Sequence, residues 1–403
     1  MSSLIEFINS HWDDCIKENR QDEENGSLLG MPYPYTVPAV GHFDEMYYWD
    51  TYFTNVGLII SDRASQAKYN TDNMLYMISR YGYMPNGNRT FYLSHSQPPF
   101  LSMMVYDIYR YYGDKAWLRG AYEALLTEYD FWMTKRITPA GLNCYGDDSD
   151  RERLIEHSYH LERRMGIDLS AYDREKLGLH YFVMCESGWD INTRFGLEGY
   201  NFAPVDLNSL MYGFEKNMEY FSLELGLDCA SKWAGAAEKR RALMLSLMDN
   251  GEGLLLDYNF VTGKLSENFS AASLYPLFLG VADKKNSEAV MKNLPRLEAE
   301  YGILANEKND TEGSFQWGYP NGWACHQYIA YMGLDFYGYK KDARRLAEKF
   351  VSATDKIFSE TGNLWEKYNV LEGSCNVADE YKMPAMMGWS AGAYLAARKY
   401  LED

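Results

Sequence analysis

Two carboxylic acids in connecting segments are the residues of this chain best suited to chemistry. Asp190 ends the segment ESGWD, and Glu380 is the middle residue of DEY, with Asp379 as its local rival. Hydrolysis of a glycosidic bond needs one carboxyl group that gives a proton and another that receives one. The pair predicts this chemistry, provided that the fold brings together two side chains 190 positions apart. The alternative for an isolated Asp after Trp is a helix N-cap.

The elements that must position these acids are mainly helices. Apolar residues recur with helical spacing over eight stretches, which are residues 66–81, 99–112, 115–135, 207–225, 230–248, 322–337, 340–357 and 384–401. Weaker patterns predict four further helices, over residues 2–17, 45–60, 271–281 and 285–298. Strand signals are sparse, and residues 254–258 are predicted as one short hairpin arm.

The links between these helices alternate between short and long. The long links cover roughly residues 18–44, 82–98, 136–204, 249–269, 299–321 and 358–383. This alternation predicts an all-α (α/α)6 barrel, a ring of six helical hairpins with its long loops at one end. A helical bundle or a solenoid is the alternative, but no internal repeat supports a solenoid.

No linker rich in Pro, Gly or Ser divides the chain. Residues 1–403 are therefore predicted to form a single catalytic domain, in which residues 1–35 are an N-terminal helical extension. The 136–204 link is long enough to act as a lid over a cleft at the end of the barrel.

Composition favours a small carbohydrate as the partner. Aromatic residues make up 16% of the chain, with 35 Tyr and 10 Trp; most of these rings are expected in the core and some along a sugar cleft. The net charge of −18 argues against nucleic acid, which is bound by positive charge that displaces counterions. The sequence leaves the oligomeric state open.

Cysteine usage and the first residues of the chain predict a reduced, cytoplasmic protein. The six cysteines are scattered singly, and none has the spacing of a metal site. The first 20 residues lack the apolar core of a signal peptide. No apolar run is long enough to predict a membrane-spanning helix.

Several motifs in the long links resemble, in order, those of the trehalase family of inverting glycoside hydrolases. The stretch GHFDEMYYWDTY (residues 41–52) looks like the first signature of that family, and QWGYPNGW (316–323) looks like its second. Five shorter segments also match: PNGNR (85–89), SQPP (96–99), ESGWD (186–190), PVDLN (204–208) and EKY (366–368). The resemblance runs from about residue 36 to the C-terminus and implies an (α/α)6 barrel without metal or cofactor.

The same resemblance implies roles for individual residues. Asp190 matches the general acid of the family, and Glu380, followed by Gly388 and Trp389 at the family's spacing, matches its general base. The residues expected to bind substrate are His42, Phe43, Trp49, Asp50, Asn86, His95, Gln97, Arg153, Glu156, Gly188, Trp189, Gln316, Trp317 and Trp389. The implied activity is that of an inverting α-glycosidase acting on α,α-trehalose or a related small α-glucoside.

Three departures from the family pattern leave other substrates open. His42 and His95 stand where the family has Arg, and Gly318 stands where it usually has Asp. An imidazole is shorter than a guanidinium and lacks its fork of five donors. Because of these changes, hydrolysis of glucosylglycerate or mannosylglycerate by the same mechanism is an alternative. A sugar-binding protein without turnover, and an epimerase or lyase that uses His as a proton carrier, are the alternatives from other classes.

Overall fold

The structure is a computed structural model that describes residues 3–377, 383–385 and 387–403. Asp379 and Glu380 lie outside the described residues, so nothing about the placement of the predicted base follows from the fold. The described residues form fourteen α-helices, which are α1 (Leu4–His11), α2 (Tyr48–Ile60), α3 (Ala64–Tyr81), α4 (Leu101–Tyr112), α5 (Lys115–Thr134), α6 (Arg151–Met165), α7 (Arg174–Ser187), α8 (Val205–Glu224), α9 (Ala230–Leu247), α10 (Tyr275–Phe278), α11 (Lys284–Asn293), α12 (Ala324–Phe336), α13 (Lys340–Thr361) and α14 (Gly388–Glu402).

Six of these helices close an inner ring. Each of α2, α4, α8, α10, α12 and α14 packs against the next, and α14 returns to α2. The inner helices α2, α8, α12 and α14 are buried around most of their circumference, as expected of helices enclosed on all sides. The outer helices are α1, α3, α5, α9, α11 and α13. The predicted (α/α)6 barrel is therefore confirmed.

The tightest contact in the inner ring depends on two glycines. A Cβ atom on Gly392 of α14 would lie 1.8 Å from the carbonyl oxygen of Phe53, and one on Gly57 of α2 would lie 2.6 Å from the Cα of Gly392. Any side chain at either position would therefore force the two helices apart. This close approach holds together the first turns of α2 and α14, which carry the cavity residues Trp49, Asp50 and Trp389.

The helices predicted from apolar periodicity are confirmed, most with ends shifted by four residues or fewer. The stretch predicted over 2–17 is α-helical only over Leu4–His11 and continues as a 3₁₀ turn (Trp12–Cys15) and a strand. The shortest is the stretch predicted over 271–281, which forms a 3₁₀ turn (Ala271–Leu274) followed by α10. The prediction of 136–204 as a link was incomplete, because this segment contains α6 and α7. One face of α6 carries polar residues that point into a cavity, so its apolar stripe is narrow. Helix α7 is buried on most sides and shows no stripe.

Helices α6 and α7 pack on each other through a small apolar core of their own, which includes Leu161, Met165, Leu177 and Phe182. Each helix begins at an Asp whose side chain accepts a hydrogen bond from a backbone N–H of the first turn, Asp150 for α6 and Asp173 for α7. The hairpin is thus a separately packed unit at the mouth of the barrel.

The strands are short and lie in the links. They are β1 (Ile16–Lys17), β2 (Tyr35–Thr36), β3 (Phe202–Ala203), β4 (Tyr258–Asn259), β5 (Lys264–Leu265), β6 (Glu298–Ala299), β7 (Gly302–Ile303), β8 (Asn321–Trp323) and β9 (Lys367–Asn369). The arm predicted over 254–258 is strand only at its last residue. The antiparallel pair β8–β9 matters for function, since it brings the 316–323 segment beside Glu366. Within the described part of the chain, no helix combines the length and apolarity that crossing a bilayer requires.

Candidate active site

A cavity of about 840 Å³ opens at the end of the barrel where the inner helices begin. This volume is typical of a small-molecule site. All but two of the residues predicted to act or bind line its wall: His42, Phe43, Trp49, Asp50, Asn86, His95, Gln97, Arg153, Glu156, Gly188, Asp190, Gln316, Trp317 and Trp389. The exceptions are Trp189, which is buried behind the wall, and Glu380, which lies outside the described residues.

Asp190 lies just beyond the end of α7, in a turn that requires Gly188. Gly188 has a φ of +72°, and a Cβ atom there would lie 2.7 Å from the indole of Trp49. Ile191 follows with a φ of +46°, which is unusual for a β-branched residue. The Asp190 side chain is 37% exposed and therefore reachable from the cavity. A positive φ at a β-branched residue beside a polar side chain is an outlier of the kind that clusters at functional sites.

A cluster of tryptophans forms the floor beneath Asp190. Trp317 stacks on Trp323 with ring centroids 3.7 Å apart, and Trp49 meets Trp389 edge-on at 5.6 Å. Each of these four rings is at least 96% buried. The rings therefore contact the cavity with their edges and not with exposed faces. Trp317 and Trp389 line the cavity, as predicted, and at the same time belong to the hydrophobic core.

Trp189 does not reach the cavity. Its ring stacks on Trp317 at 5.4 Å and on its other side lies 4.4 Å from the guanidinium carbon of Arg194. Arg194 is fully buried and forms paired hydrogen bonds with Asp206 and with Asp257. Trp189 therefore supports the turn that carries Asp190, and its predicted contact with substrate is corrected to a supporting position.

Asp50 lies in the first turn of α2 and faces the cavity. Burial raises the pKa of its carboxyl to about 8, and the charges of Glu366 and Asp190 act in the same direction. A carboxyl with this pKa keeps its proton at neutral pH. Glu366 also lines the cavity and forms an ion pair with the buried Lys367 at 2.8 Å. The motif EKY contains Glu366, but the sequence assigned it no role in the site.

We expect Asp50→Asn to stabilise the folded protein more at pH 8 than at pH 5. In the folded state the carboxyl keeps its proton up to about pH 8, whereas in the unfolded chain it loses the proton near its ordinary value of 3.8. Raising the pH from about 4 to about 8 therefore favours unfolding of the wild type, and an amide removes this dependence. Urea unfolding at both pH values should show a gain at pH 8 larger by on the order of a few kcal/mol. Equal gains would contradict the assignment.

Three amides are held by hydrogen bonds at the cavity wall. The side-chain nitrogen of Asn86 donates to the carbonyls of Ser96 (3.3 Å) and Cys185 (3.2 Å). The Gln97 Oε1 accepts from the backbone N–H of Trp49 at 3.2 Å, so this residue braces the floor. Gln316 accepts a hydrogen bond from Arg164. The backbone thus fixes the orientation of Asn86 before any ligand arrives.

The two histidines that replace arginines differ in their surroundings. His42 is exposed and lies edge-on to Phe43 at 4.5 Å. His95 is 2% exposed, with Nδ1 3.1 Å from Oδ2 of Asp147. Burial acts to raise the pKa of Asp147, but hydrogen bonds from His95 and neighbouring serines outweigh it and lower the pKa. His95 Nε2 has no hydrogen-bond partner among the described residues. Asp147 therefore orients His95, a relation that no spacing in the sequence indicates.

Three polar residues that the sequence missed lie on α6. His157, His160 and Arg164 line the cavity together with the predicted Arg153 and Glu156. Their spacing of three and four positions places all five on one face of the helix. This spacing is a signal that a search for polar as well as apolar periodicity would have found. The aromatic side chains of Tyr92, Tyr181 and Phe182 complete this wall.

No metal site accompanies these residues in the described part of the chain, where no three His, Cys, Asp or Glu side chains are grouped to hold an ion. A fold does not define a function by itself, but a cavity lined by carboxyl groups, amides and tryptophans at the end of such a barrel fits the class of (α/α)6-barrel glycoside hydrolases.

Within this class, the chain belongs to the trehalase family, whose model matches residues 2–401. A periplasmic trehalase from Xanthomonas axonopodis pv. citri is 31% identical over 418 residues, which cover 98% of this chain and 72% of that protein. The solved structure of neutral trehalase from Saccharomyces cerevisiae is 27% identical, with a TM-score of 0.78 over 98% of this chain and 80% of that chain. A mannosylglycerate hydrolase from Thermus thermophilus shares the fold at 16% identity and a TM-score of 0.66, covering 90% of this chain and 95% of that one.

These relatives overturn the predicted cytoplasmic location. Several, including those from Xanthomonas and from Pseudomonas aeruginosa, are named periplasmic trehalases. The prediction relied on the scattered cysteines and on the first 20 residues, which lack the apolar core of a signal peptide, and neither reports the compartment. Burial raises the pKa of the Cys15, Cys185 and Cys325 thiols, which keeps them in the unreactive form whatever the surrounding redox conditions.

Proposed function

We propose that the chain hydrolyses α,α-trehalose or a closely related small α-glucoside with inversion at the anomeric carbon. One observation carries the proposal: the Asp190 carboxyl opens into a cavity whose wall is formed by the residues that match the family's sugar-binding positions. The names of the relatives favour trehalose over other glycosides. The substrate is then a small carbohydrate.

In this proposal Asp190 is the general acid and Glu380 the general base. Asp190 protonates the glycosidic oxygen as the bond breaks, while Glu380 takes a proton from the water that attacks the anomeric carbon from the opposite face. Asp50 and Asn86 bind hydroxyls of the ring at the cleaved bond. A protonated carboxyl both donates and accepts, and so does an amide, which suits hydroxyls that do the same.

A second substrate class is favoured by the departures at His42, His95 and Gly318. In this alternative the mechanism is unchanged and the substrate is glucosylglycerate or mannosylglycerate. His95 supports it, because a ring held by Asp147 reaches less far into the cavity than an arginine would. A sugar-binding protein without turnover is disfavoured by the accessible Asp190.

The test is a panel of α-linked disaccharides and glycosylglycerates, with the anomer of the released sugar followed by NMR. Early release of β-glucose from α,α-trehalose supports the proposal. Release from a glycosylglycerate alone selects the second substrate class. The leaving glucose of α,α-trehalose keeps its α configuration, so early release of α-glucose without β-glucose is the outcome that would overturn the inverting mechanism. No release from any member would favour a binding protein.

A further inference from the structure

The α6 wall of the cavity carries a histidine, His157, to which neither the motifs nor the proposed mechanism gives a role. Its half-buried ring lines the cavity and packs on Phe182 with ring centroids 4.6 Å apart. The ring of Tyr181 lies at 5.7 Å. Both aromatic residues belong to α7, so the packing of α7 on α6 fixes the position of the histidine before any ligand arrives.

The hydrogen bonding of His157 leaves one ring nitrogen for a ligand. Nδ1 lies 2.9 Å from the carbonyl oxygen of Arg153, one turn earlier in α6. A carbonyl oxygen only accepts, so Nδ1 donates in this bond. Within the described part of the chain, Nε2 makes no hydrogen bond, and it is not one of the buried polar atoms without a partner. Nε2 is therefore the nitrogen that a molecule in the cavity can reach.

His157 lies on the side of the cavity where the leaving group is expected. In the proposed function Asp50, at the start of the inner helix α2, binds the ring at the cleaved bond, so this ring lies at the barrel end of the cavity. The α6–α7 hairpin forms the mouth, and Arg164 of α6 reaches Asp190, with Nη1 3.5 Å from Oδ2. Since the acid protonates the leaving oxygen, the departing group lies along α6.

The distance along α6 suits a hexose as the leaving group. His157 precedes Arg164 by seven residues on the same face of the helix, which is roughly 10 Å along its axis. The far hydroxyls of a leaving hexose extend in this direction from the acid, whereas a three-carbon glycerate ends closer to it. A hydroxyl both donates and accepts, so it pairs with Nε2 in either protonation state of the imidazole.

We propose that His157 is a specificity-determining residue that binds a hydroxyl of the leaving hexose through Nε2. The inference rests on the proposed function, in which Asp190 protonates the bond to that hexose. The contact favours a disaccharide over a glycosylglycerate, because the glycerate has no hydroxyl at this distance. It lies away from the cleaved bond, so it stabilises the bound substrate and the transition state alike.

The test compares two substrates in His157→Phe, which keeps an aromatic ring against Phe182 and removes the nitrogen. On the best disaccharide of the panel, kcat/KM should fall about 3- to 10-fold, the range that one uncharged hydrogen bond supplies, with the loss mainly in KM. On α-glucosyl fluoride, whose leaving group carries no hydroxyl, kcat/KM should not change. His157→Gln, whose amide still pairs with a hydroxyl, should retain more of the disaccharide activity than His157→Phe.

The matched control is His11→Phe on the outer helix α1. His11 has the same local arrangement, with Nδ1 2.7 Å from the carbonyl oxygen of Phe7 and its ring stacked on Phe7 at 4.1 Å, but it does not line the cavity. Its loss should leave both activities at the wild-type level. Equal losses on both substrates in His157→Phe, or no loss on the disaccharide, would overturn the inference. So would a wild-type enzyme that cleaves α-glucosyl fluoride but no disaccharide, whereas one that cleaves neither would contradict the proposed function itself.

Discussion

Asp190→Asn is expected to lower kcat on the best substrate at least ~100-fold while changing KM little, because an amide of the same size cannot protonate the leaving oxygen. The structure indicates that this substitution leaves the fold intact. The carboxyl is 37% exposed, and its turn is held by Gly188 and by the Trp189–Arg194 stack rather than by the acid itself. The free energy of unfolding should therefore change little. Initial rates on the substrate found in the panel, with thermal unfolding alongside, provide the measurement.

A leaving group that needs no protonation tests the role more closely. An activated α-glucosyl substrate with an acidic phenol as leaving group should recover much of the lost rate in Asp190→Asn, because its departure depends little on the acid. If the variant keeps near-full activity on the natural substrate, Asp190 is not the acid.

The companion variant Glu380→Gln should lose activity to a similar extent, since the attacking water then lacks a base. Its matched control is Asp379→Asn, the adjacent carboxyl, which should retain most of the activity. The reverse outcome would transfer the role of base to Asp379. Both positions lie outside the described residues, so this prediction stands on the family spacing alone.

The second large effect is expected at Arg194. Arg194→Met should lower the free energy of unfolding by about 3–5 kcal/mol, the usual cost of removing one partner of a buried ion pair. Asp206 and Asp257 would then share the interior without a counter-charge, and both are at least 97% buried. Burial already raises the pKa of Asp257 although Arg194 opposes it. Urea unfolding at pH 7 measures the loss.

The surface arginine Arg296 provides the comparison. It pairs with Glu307 at 2.7 Å but is 44% exposed, so Arg296→Met should cost about 0–1 kcal/mol. Similar losses for the two variants would show that the buried network does not stabilise the loop that carries Asp190. Because Arg194 also lies over Trp189, its loss should reduce kcat in the protein that still folds.

The helices of the barrel illustrate what periodicity reveals. Helices α3, α5 and α13 face solvent on one side, so their apolar residues recur at helical spacing and could be predicted closely. Helix α7 is enclosed on most sides, and α6 turns a polar face to the cavity. Neither shows a wide apolar stripe, and both were missed. Enclosure alone does not hide a helix, since α8 and α12 are also buried on most sides and were predicted. Helix α7 was missed because it buries polar residues such as His180, Glu186 and Ser187 among its apolar ones.

The order of motifs along the chain was sufficient to place most of the predicted residues at the cavity, from His42 to Trp389, because the motifs lie in links or at helix ends at the same end of the barrel. Their roles stay predictions until the variants are measured. Proximity in sequence to Asp190 did not predict the position of Trp189, whose ring contacts Arg194 and the core and does not reach the cavity.

By itself, the sequence determined the helical class, the ring of hairpins and the family, since these depend on local patterns and on motifs read in order. Only the tertiary structure decided that Arg164 pairs with Asp190, that Asp147 orients His95 and that Asp50 is protonated. Those relations join residues up to 52 positions apart or arise from burial. Burial and long-range distance are properties of the packed chain, and no local pattern encodes them.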